Sequence, residues 1–329
     1  MSDRVLVTGA AGYIGSLLCT ELVGYQFDVV GIDNFMYNQI NTLNHLLSVP
    51  NFEFCHADVT NRSDLTNILG IVKPKVIIPL AALVGQPICD KHHQLAVETN
   101  FEQIKTLVDW AEKKTAIIYP NTNSGYGQCD GLCTEETPMN PISHYGRTKC
   151  AAEEYIRDHC QEYVILRLAT VFGLSPRMRT DLLVNDLTWQ AYRRGRLEVF
   201  QPNYKRNFVH IDDVVAAMVR FTEFAIHKEG RNGIYNLGLD EANMTKGELA
   251  KMICNIIGAK YSEKEGADPD QRDYNVSSAK IKSVYVPHHS LKEGIQQLTK
   301  YYASINNTNS VRFEKEIELM RNDFSKNTI

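Results

Sequence analysis

A tyrosine and a lysine four residues apart are the side chains of this sequence best suited to proton transfer. Tyr145 and Lys149 fall in a stretch with helical periodicity, and residues i and i+4 share one face of a helix. A phenol in water has a pKa of ~10, and a neighbouring ammonium group lowers this pKa by favouring the phenolate. The pair predicts a general base that works near neutral pH. The alternative is a chance pairing on an amphipathic helix, because this spacing is common.

A loop rich in hydroxyl and amide groups stands upstream of the pair. It follows the apolar run 116–119, which predicts a strand, and its polar side chains include Thr122, Asn123 and Ser124. Ligands of parallel sheets bind beyond the carboxyl ends of the strands. We therefore expect this loop and the Tyr145–Lys149 pair at the same edge of a sheet.

A glycine-rich unit near the N-terminus has the order of a dinucleotide site. An apolar run over 5–7 leads to Gly9, Gly12 and Gly15, helical spacing follows, and a second apolar run ends at Asp33. The glycines let the backbone approach a pyrophosphate at a helix N-terminus. Asp33 can accept hydrogen bonds from ribose hydroxyls and would repel a 2′-phosphate, so the unit predicts NAD rather than NADP. Its G-x-x-G-x-x-G spacing departs from G-x-G-x-x-G, and an ordinary strand-to-helix turn is the alternative.

The elements that must position these groups alternate between strand and helix. Further strands are predicted over 52–59 and 76–82, and helices over 94–113 and from Tyr145 onward. This alternation predicts an α/β fold, a Rossmann-type doubly wound parallel sheet covered on both faces. Asp58, at the end of the third strand, is expected to contact adenine or to act as an N-cap or turn residue, and both roles are compatible.

After Leu174 the pattern changes to that of a smaller α/β substrate-binding lobe. Its predicted elements are helices over 181–194, 211–224, 246–257 and 291–302, strands over 197–200, 207–210 and 234–237, and a segment around 271–279. The predicted division assigns 1–173 plus about 205–238 to an NAD-binding domain, and about 174–204 plus 239–329 to the lobe. The tail from Asn306 is left unassigned.

Composition excludes several classes of function. A formal net charge of −4, with 43% apolar and 22% charged residues, gives no sign of a nucleic-acid or membrane surface. The eight cysteines lack paired metal-ligand spacing, so no metal site is predicted and reduced thiols are expected. A cytoplasmic location is predicted, because the N-terminus enters a strand directly and no apolar run approaches ~18 residues. A basic cluster could suit a doubly phosphorylated small molecule or form a solvated face, and the solvated face is preferred for Arg193, Arg194 and Arg196. The cluster comprises Arg177, Arg179, Arg193, Arg194, Arg196, Lys205 and Arg206.

Taken together, the sequence resembles the extended short-chain dehydrogenase/reductase family, the NAD-dependent epimerases and dehydratases that act on nucleotide sugars. The resemblance covers nearly the whole chain. It rests on TGAAGYIG at 8–15, Asp33, Asp58, LAAL at 80–83, Asn100, TNSGYG at 122–127, YGRTK at 145–149, LRLATVFG at 166–173, RNFVHIDDV at 206–214 and Arg272.

The resemblance implies roles for individual residues. By this resemblance Tyr145 is the base, assisted by the positive nicotinamide ring. Lys149 also holds the nicotinamide ribose, and Thr122 hydrogen-bonds the reacting oxygen. Arg206 and Arg272 would clamp the substrate's diphosphate with guanidinium forks, the alternative being surface salt bridges. The implied NAD contacts are Gly9, Gly12, Tyr13, Ile14, Gly15, Asp33, Asn34, Asp58, Val59, Leu80, Ala81, Ala82, Asn100, Tyr145 and Lys149. The implied substrate contacts are Asn123, Ser124, Thr170, Arg177, Asn185, Arg206 and Arg272.

Departures from the family pattern narrow the expected reaction. Dehydratases of the family carry Asp-Glu after the threonine and its decarboxylases keep a Glu in that loop, whereas this chain has Asn123 and Ser124, which cannot donate protons at a suitable pKa. The family often has Asn at the position of Thr170 and His at the position of Leu80. The phosphate and cofactor contacts at these two positions are therefore expected to differ from those of the family. The expected reaction is NAD-dependent oxidation at carbon 4 of a nucleoside-diphosphate sugar, with epimerisation and net dehydrogenation both open.

Three segments favour one branch of the family, the enzymes of capsule-sugar pathways that oxidise GDP-heptose at carbon 4. They are AALVGQPIC at 81–89, YPNTNSGYG at 119–127, and the stretch 167–193. A UDP-sugar 4-epimerase is the alternative enzyme, and a non-catalytic dinucleotide sensor that binds a protein partner is the alternative from another class. The resemblance also implies a homodimer or higher homo-oligomer, formed through helices near 94–113 and 143–160.

Overall fold

Seven parallel strands form the centre of the computed structural model, which describes residues 3–111, 115–266 and 272–305. The strands in chain order are β1 (Arg4–Thr8), β2 (Asp28–Asp33), β3 (Phe52–His56), β4 (Val76–Pro79), β5 (Ala116–Thr122), β6 (Gln128–Cys133), β7 (Tyr163–Leu168), β8 (Thr170–Phe172), β9 (Arg196–Phe200), β10 (Lys205–Arg206), β11 (Phe208–His210), β12 (Gly233–Leu237), β13 (Met244–Thr245), β14 (Lys260–Lys264) and β15 (Asp273–Val276). The main sheet has the order β12-β7-β5-β4-β1-β2-β3.

Helices cover both faces of this sheet. They are α1 (Gly15–Gly24), α2 (Arg62–Val72), α3 (Gln86–Lys91), α4 (His93–Val97), α5 (Gln103–Ala111), α6 (His144–His159), α7 (Leu183–Arg194), α8 (Ile211–His227), α9 (Lys246–Ile257) and α10 (291–305). Along β1, Val5 and Val7 pack in one core with α1 and α8, whereas Leu6 packs in another with α2, α5 and α6. Because both faces of the strand are buried, its sequence is continuously apolar, which is typical of a doubly wound sheet. The predicted fold is confirmed.

The strand register brings the predicted site segments to one edge. Thr8 is paired with Ile32 on one side and Pro79 on the other, so the glycine turn, Asp33 and the loop after β4 leave the sheet together. Thr122 ends β5 opposite Leu168 of β7. The carboxyl ends of these strands therefore face one common region, as expected for a ligand site in such a sheet.

A further core joins elements of the C-terminal part. It contains buried apolar residues of α7, β9, α9 and α10, including Trp189, Val199, Ile253 and Tyr302. Four two-stranded sheets accompany it: β10 with β13, β11 with β8, β14 with β9, and β15 with β6. The division of the chain into an NAD-binding domain and a smaller lobe stays a prediction.

Several predicted boundaries differ from the structure. The helix predicted over 94–113 consists of α4 and α5 joined by a π-helical turn at Glu98–Glu102, and residues 112–114 lie outside the described residues. Position 271 and the tail from Asn306 also lie outside them. The sequence analysis missed α3 and β6. Within the described ranges, no helix has both the length and the apolar composition required to cross a bilayer.

Candidate active site

The glycine turn after β1 is packed tightly against the loop that follows β4. Gly9 has a φ of +68°, and a Cβ atom there would lie 2.6 Å from the backbone nitrogen of Ala81. A Cβ atom on Gly15 would meet the carbonyl oxygen of Gly9. A side chain is therefore excluded at Gly9 by both conformation and space, and at Gly15 by space.

This turn offers backbone donors at the start of α1. The N–H groups of Tyr13 and Ile14 donate to no acceptor within the described part of the chain, whereas the Gly12 N–H donates to the Gly9 carbonyl oxygen. Unpaired N–H groups at a helix N-terminus are suited to bind phosphate. The turn therefore fits the pyrophosphate of a dinucleotide, as the sequence predicted.

Asp33 connects the turn to the segment after β2. Its carboxylate accepts hydrogen bonds from the backbone N–H of Ala11 at 3.0 Å and of Phe35 at 2.8 Å, and from the Gln39 side chain at 3.1 Å. Burial raises the pKa of this carboxyl group, and the hydrogen bonds and the charge of Arg177 oppose that shift. Each carboxylate oxygen has two acceptor sites, so Oδ2, which accepts only from Ala11 within the described chain, retains one for a ribose hydroxyl. Gln39 was missed by the sequence analysis.

Asp58 is a turn residue rather than the N-cap of the following helix. It accepts from the N–H and hydroxyl groups of Thr60 and from the Asn34 side chain, whereas Asn61 is the N-cap of α2. Burial raises the pKa of Asp58, but these hydrogen bonds outweigh burial and the pKa is lowered. Its contact with adenine, and the cofactor contacts of Asn34 and the buried Val59, stay predictions.

Tyr13 and Asn185 join the glycine turn to the segment after β8. The Tyr13 hydroxyl donates to the carbonyl oxygen of Gly173 at 2.8 Å, and the Asn185 amide donates to the carbonyl oxygen of Arg179 at 2.8 Å. Asn185 also accepts from the Gly173 N–H and is fully buried. Its polar atoms are thus occupied within the protein, and the substrate contact implied for Asn185 stays a prediction.

Asn100 has a similar internal role. From the π-helical turn, its side chain accepts from the N–H of Leu83 and donates to the Leu83 carbonyl oxygen and the Thr148 hydroxyl. These bonds attach the loop after β4, which contains Leu80, Ala81 and Ala82, to helix α6. Asn100 therefore positions helix α6, which carries the Tyr145–Lys149 pair, against this loop.

Tyr145 and Lys149 lie one turn apart in α6, and Lys149 contacts a residue that the sequence analysis missed. The Nζ atom of Lys149 lies 4.1 Å from the centre of the Tyr119 ring, and the Tyr119 hydroxyl donates to the Lys149 carbonyl oxygen. Tyr145 packs against an apolar cluster that includes Leu83 and Cys89. Tyr119, in β5, could have been found from its position at the end of an apolar run that leads into the polar loop.

Burial shifts the pKa values of both Tyr145 and Lys149. Burial raises the pKa of the Tyr145 phenol, and the charges of Arg179 and Arg272 lower it only in part. Burial lowers the pKa of Lys149 to about 7. In the chain by itself, desolvation outweighs the neighbouring charges. That Tyr145 is a base near neutral pH, with the ammonium group and the positive nicotinamide ring both favouring the phenolate, stays a prediction.

A chain of hydrogen bonds leads from Thr122 to the two arginines. The Thr122 hydroxyl donates to Ser124 Oγ at 3.0 Å, and Arg272 donates to the same Oγ atom. Arg206, which is 2% exposed, donates to the carbonyl oxygen of Arg272. A hydroxyl hydrogen can rotate, so Thr122 can instead donate to a substrate oxygen. The structure thus brings Thr122, Ser124 and both arginines together.

Asn123, beside Thr122, carries polar atoms that the fold leaves without partners. Its side chain is 1% exposed, and neither its carbonyl oxygen nor its amide nitrogen has a hydrogen-bond partner among the described residues. Buried polar groups are paired in most structures. A polar ligand in this loop would provide the missing partner.

Arg177 and Thr170 lie apart from this group. The Arg177 guanidinium lies 4.9 Å from the centre of the Tyr37 ring and exerts its charge on Asp33, on the glycine-turn side of the site. Thr170 begins β8, and its N–H donates to the carbonyl oxygen of Asn207. Their implied substrate contacts stay predictions. Arg193, Arg194 and Arg196 are exposed, as expected for a solvated basic face.

The doubly wound sheet, the glycine turn and the Tyr145–Lys149 pair define a dinucleotide-dependent enzyme. The chain belongs to the NAD dependent epimerase/dehydratase family, whose model matches residues 5–238. It is accordingly an NAD-dependent enzyme of that family, and NAD is its cofactor.

Two curated relatives and one solved structure illustrate the similarity. "Uncharacterized UDP-glucose epimerase YtcB" of Bacillus subtilis (strain 168) is 30% identical over 321 residues, covering 92% of this chain and 98% of the relative. The UDP-glucose 4-epimerase of Mycolicibacterium smegmatis is 29% identical, covering 91% and 98%. The UDP-glucuronic acid 4-epimerase of Bacillus cereus, solved with UDP-glucuronic acid and NAD, is 27% identical with a TM-score of 0.78, covering 92% and 99%.

Proposed function

We propose that this enzyme oxidises the carbon 4 hydroxyl group of a nucleoside-diphosphate sugar. The observation that carries the proposal is the position of the partly buried Tyr145 and the buried Lys149, one helical turn apart beside the end of β5, where Thr122 leads into the polar loop. NAD, when bound, supplies the hydride acceptor and a positively charged ring. The chain supplies the base, the group that orients the sugar oxygen, and the charges that hold the diphosphate.

Tyr145 is the proposed proton acceptor. Burial opposes its ionisation, so every positive charge near the phenol matters, and Arg179 and Arg272 already favour the phenolate. Lys149 adds its charge only when its buried amine is protonated, which in the chain alone becomes incomplete near pH 7. A tyrosine base of this kind contributes ~10²- to 10⁴-fold to the rate.

The two arginines are the proposed diphosphate clamp. Arg272 reaches the loop of Thr122 through Ser124, and Arg206 adjoins Arg272 through a backbone bond. Guanidinium groups bind phosphate oxygens in bidentate fashion, so this pair would anchor the nucleotide end while the sugar extends toward Tyr145. Arg177, beside Asp33 and Tyr37, is better placed for the cofactor than for this clamp.

The loop after Thr122 disfavours loss of water from the sugar. Asn123 and Ser124 hold no proton that they can donate as an acid, and no carboxylate stands between Thr122 and Tyr126. The unpaired amide of Asn123 instead suits a hydrogen bond to a sugar hydroxyl group. The keto sugar formed at carbon 4 would then be reduced in place or released.

Reduction on the opposite face gives a 4-epimerase, and release gives a 4-dehydrogenase. The 4-epimerases among the relatives favour the first outcome with a UDP-sugar. The segments at 81–89, 119–127 and 167–193, which resemble enzymes acting on GDP-heptose, favour the second outcome and a role in surface-polysaccharide synthesis. The chain retains Tyr145, Lys149 and Thr122. Their presence argues against the rival function as a non-catalytic dinucleotide sensor.

The experiment is to incubate the purified protein with individual GDP- and UDP-sugars and to follow carbon 4 by NMR. Inversion at carbon 4 identifies an epimerase, and a carbon 4 ketone with stoichiometric NADH identifies a dehydrogenase. If no hydrogen at carbon 4 is lost or inverted with any of these sugars, the proposal is wrong.

The arrangement of the whole protein is part of the proposal. A cytoplasmic homodimer would form through α4, α5 and α6, where Tyr155 of α6 donates to Asp109 of α5 and lies edge-on to Phe101. The smaller lobe, 174–204 plus 239–329, would provide the substrate contacts. Light scattering of the purified protein at several concentrations measures the oligomeric state.

A further inference from the structure

Two histidines and an aspartate converge at the start of α8. The ligand atoms of His210, Asp212 and His289 all lie within 4.8 Å of one another. Asp212 Oδ2 is 3.5 Å from His210 Nδ1 and 4.0 Å from His289 Nε2. An ion about 2.1 Å from each of two ligand atoms requires them to be no more than ~4.2 Å apart. Both distances from Asp212 meet this limit, whereas the two histidine nitrogens lie within 4.8 Å of each other, so one ring would move slightly toward the ion.

Neighbouring acceptors determine which nitrogen of each ring carries the proton. Nε2 of His210 lies 3.1 Å from the side-chain oxygen of Gln297, and Nδ1 of His289 lies 3.1 Å from the carboxylate of Asp213. Because these oxygens only accept, each of the two ring nitrogens is the donor. The lone pairs of His210 Nδ1 and His289 Nε2 are left on the side of Asp212.

This is the arrangement that metal-bound histidines use. Their second nitrogen donates to a carboxylate or carbonyl oxygen, which fixes the ring and raises the basicity of the ligating nitrogen. Asp213, fully buried, holds the segment around His289 further by accepting from the Tyr285 hydroxyl and from the N–H groups of His288 and His289. The one competing bond is from the Asp212 N–H to His210 Nδ1, at 3.2 Å, which an ion would replace.

We propose that His210, Asp212 and His289 bind a divalent transition ion of the zinc type, with water completing its coordination. Imidazole nitrogen and carboxylate oxygen suit such an ion, and the half-exposed Asp212 leaves access for it. The ion would link the β11–α8 junction to the segment that leads into α10. It is a structural link, because these residues lie outside the proposed chemistry.

An adjacent set of residues, Asp213, His288 and His289, is also close enough to share an ion. It is the weaker candidate, because the Asp213 oxygens already accept from the Tyr285 hydroxyl, two backbone N–H groups and the His289 ring. An ion there would displace those hydrogen bonds inside the protein. His288, which is 65% exposed, therefore provides a matched control for His289.

Metal-free protein would be titrated with Co²⁺ and Zn²⁺, and binding followed by Co²⁺ absorption, calorimetry and thermal unfolding. We expect one equivalent of Co²⁺ with d–d bands and no thiolate charge-transfer band, since the eight cysteines are not involved. At a free ion concentration ~100 times the Kd, the folding equilibrium shifts ~100-fold and Tm rises. His289→Gln and Asp212→Asn should abolish this shift, whereas His288→Gln should retain it.

Three results would overturn the proposal. They are the absence of saturable binding at one equivalent, a thiolate charge-transfer band that accounts for the bound ion, and retention of the ion by His289→Gln. Loss of binding in His288→Gln with retention in Asp212→Asn would place the ion in the adjacent set and also overturn it. Circular dichroism of each metal-free variant verifies that the variant is folded, and Gln297→Leu should weaken binding ~10- to 100-fold by releasing the His210 ring.

Discussion

The ammonium group of Lys149 lies directly over the ring of Tyr119, with 4.1 Å between Nζ and the ring centre. Lys149 is 4% exposed, and burial lowers its pKa to about 7 although the cysteines and Glu153 around it raise it. The cation–π contact holds the amine in place but does not replace the lost hydration. The charge on Lys149 is therefore sensitive to pH in the range where the enzyme works.

This sensitivity predicts a pH-dependent stability. In the unfolded chain a lysine has a pKa of ~10.4, so between pH 7 and about pH 10 the unfolded state binds one proton more than the folded state, and stability rises with pH. The free energy of unfolding of the wild type relative to Lys149→Met should rise across this window. Urea denaturation at several pH values measures it. A difference that falls across this window would contradict the assignment.

Replacing Tyr145 with phenylalanine should abolish turnover without releasing NAD. The variant retains the ring that packs against Leu83 and Cys89 and loses only the proton acceptor, so kcat should fall by at least ~10²- to 10⁴-fold. Stopped-flow assays and NAD titration measure the two effects separately. Tyr155→Phe, on the same helix, should retain activity. Unchanged turnover in Tyr145→Phe would remove Tyr145 from the mechanism.

Asp33→Asn should weaken NAD binding and reduce the preference over NADP. The asparagine has one acceptor oxygen in place of two, while Ala11, Phe35 and Gln39 still present donors. A hydrogen bond to a charged group contributes about 1.5–3 kcal/mol, which is roughly a 10- to 100-fold loss of affinity. Fluorescence titration with NADH and NADPH measures the ratio. Asp64→Asn, at the start of α2, is the control, and an unaltered ratio in Asp33→Asn would show that Asp33 does not contact the ribose.

Arg272→Lys should raise KM by ~10- to 100-fold and change kcat little, because lysine retains the charge but loses the bidentate fork. Ser124→Ala removes the bond from Arg272 to the loop without removing the guanidinium, and should have the smaller effect. Steady-state kinetics on the active sugar nucleotide distinguish the two variants. Arg194→Lys, exposed at the end of α7, is the control and should change neither constant. If kcat of Arg272→Lys fell by as large a factor as KM rises, a role in binding alone would be wrong.

Glu153→Gln should destabilise the protein by ~3–5 kcal/mol, since it leaves a buried guanidinium without its counter-ion. Glu153 and Arg167 are each 3% exposed and join α6 to β7 at 2.6 Å. Urea unfolding measures the loss. Breaking the exposed Arg220–Glu223 pair by Glu223→Gln should cost at most ~1 kcal/mol. Equal losses in the two variants would show that burial of the Glu153–Arg167 pair has no energetic effect.

The local sequence pattern was sufficient to predict the main sheet and the segments at its edge. The apolar run before Gly9, the acid that ends β2 and the spacing of Tyr145 and Lys149 each report on residues close in sequence, where periodicity is informative. The π-helical turn at Glu98–Glu102 could not be predicted this way, because one extra residue in a helical turn leaves no distinct composition. It is stabilised by the bonds of Asn100 to Leu83 and Thr148, which are tertiary contacts.

Sequence spacing predicted which side chains lie near one another better than it predicted the pKa values of those side chains. Sequence spacing placed an ammonium group beside a phenol, but the shift in each pKa depends on how completely both groups are buried, which spacing does not report. The convergence of His210, Asp212 and His289 was missed for a related reason. The third member lies far along the chain, and only the packing of α10 against β11 brings it to the other two.

The hydroxyl group of Tyr13 ties the nucleotide turn to a distant part of the chain. The backbone of Tyr13 belongs to the turn that would receive the cofactor's phosphates, while its side chain ends on Gly173, where the chain leaves β8 for the C-terminal part. Ser175 adds a second link by donating to the Tyr13 carbonyl oxygen. A rearrangement of the nucleotide turn would therefore break hydrogen bonds to the C-terminal part, so we expect these two regions to shift together.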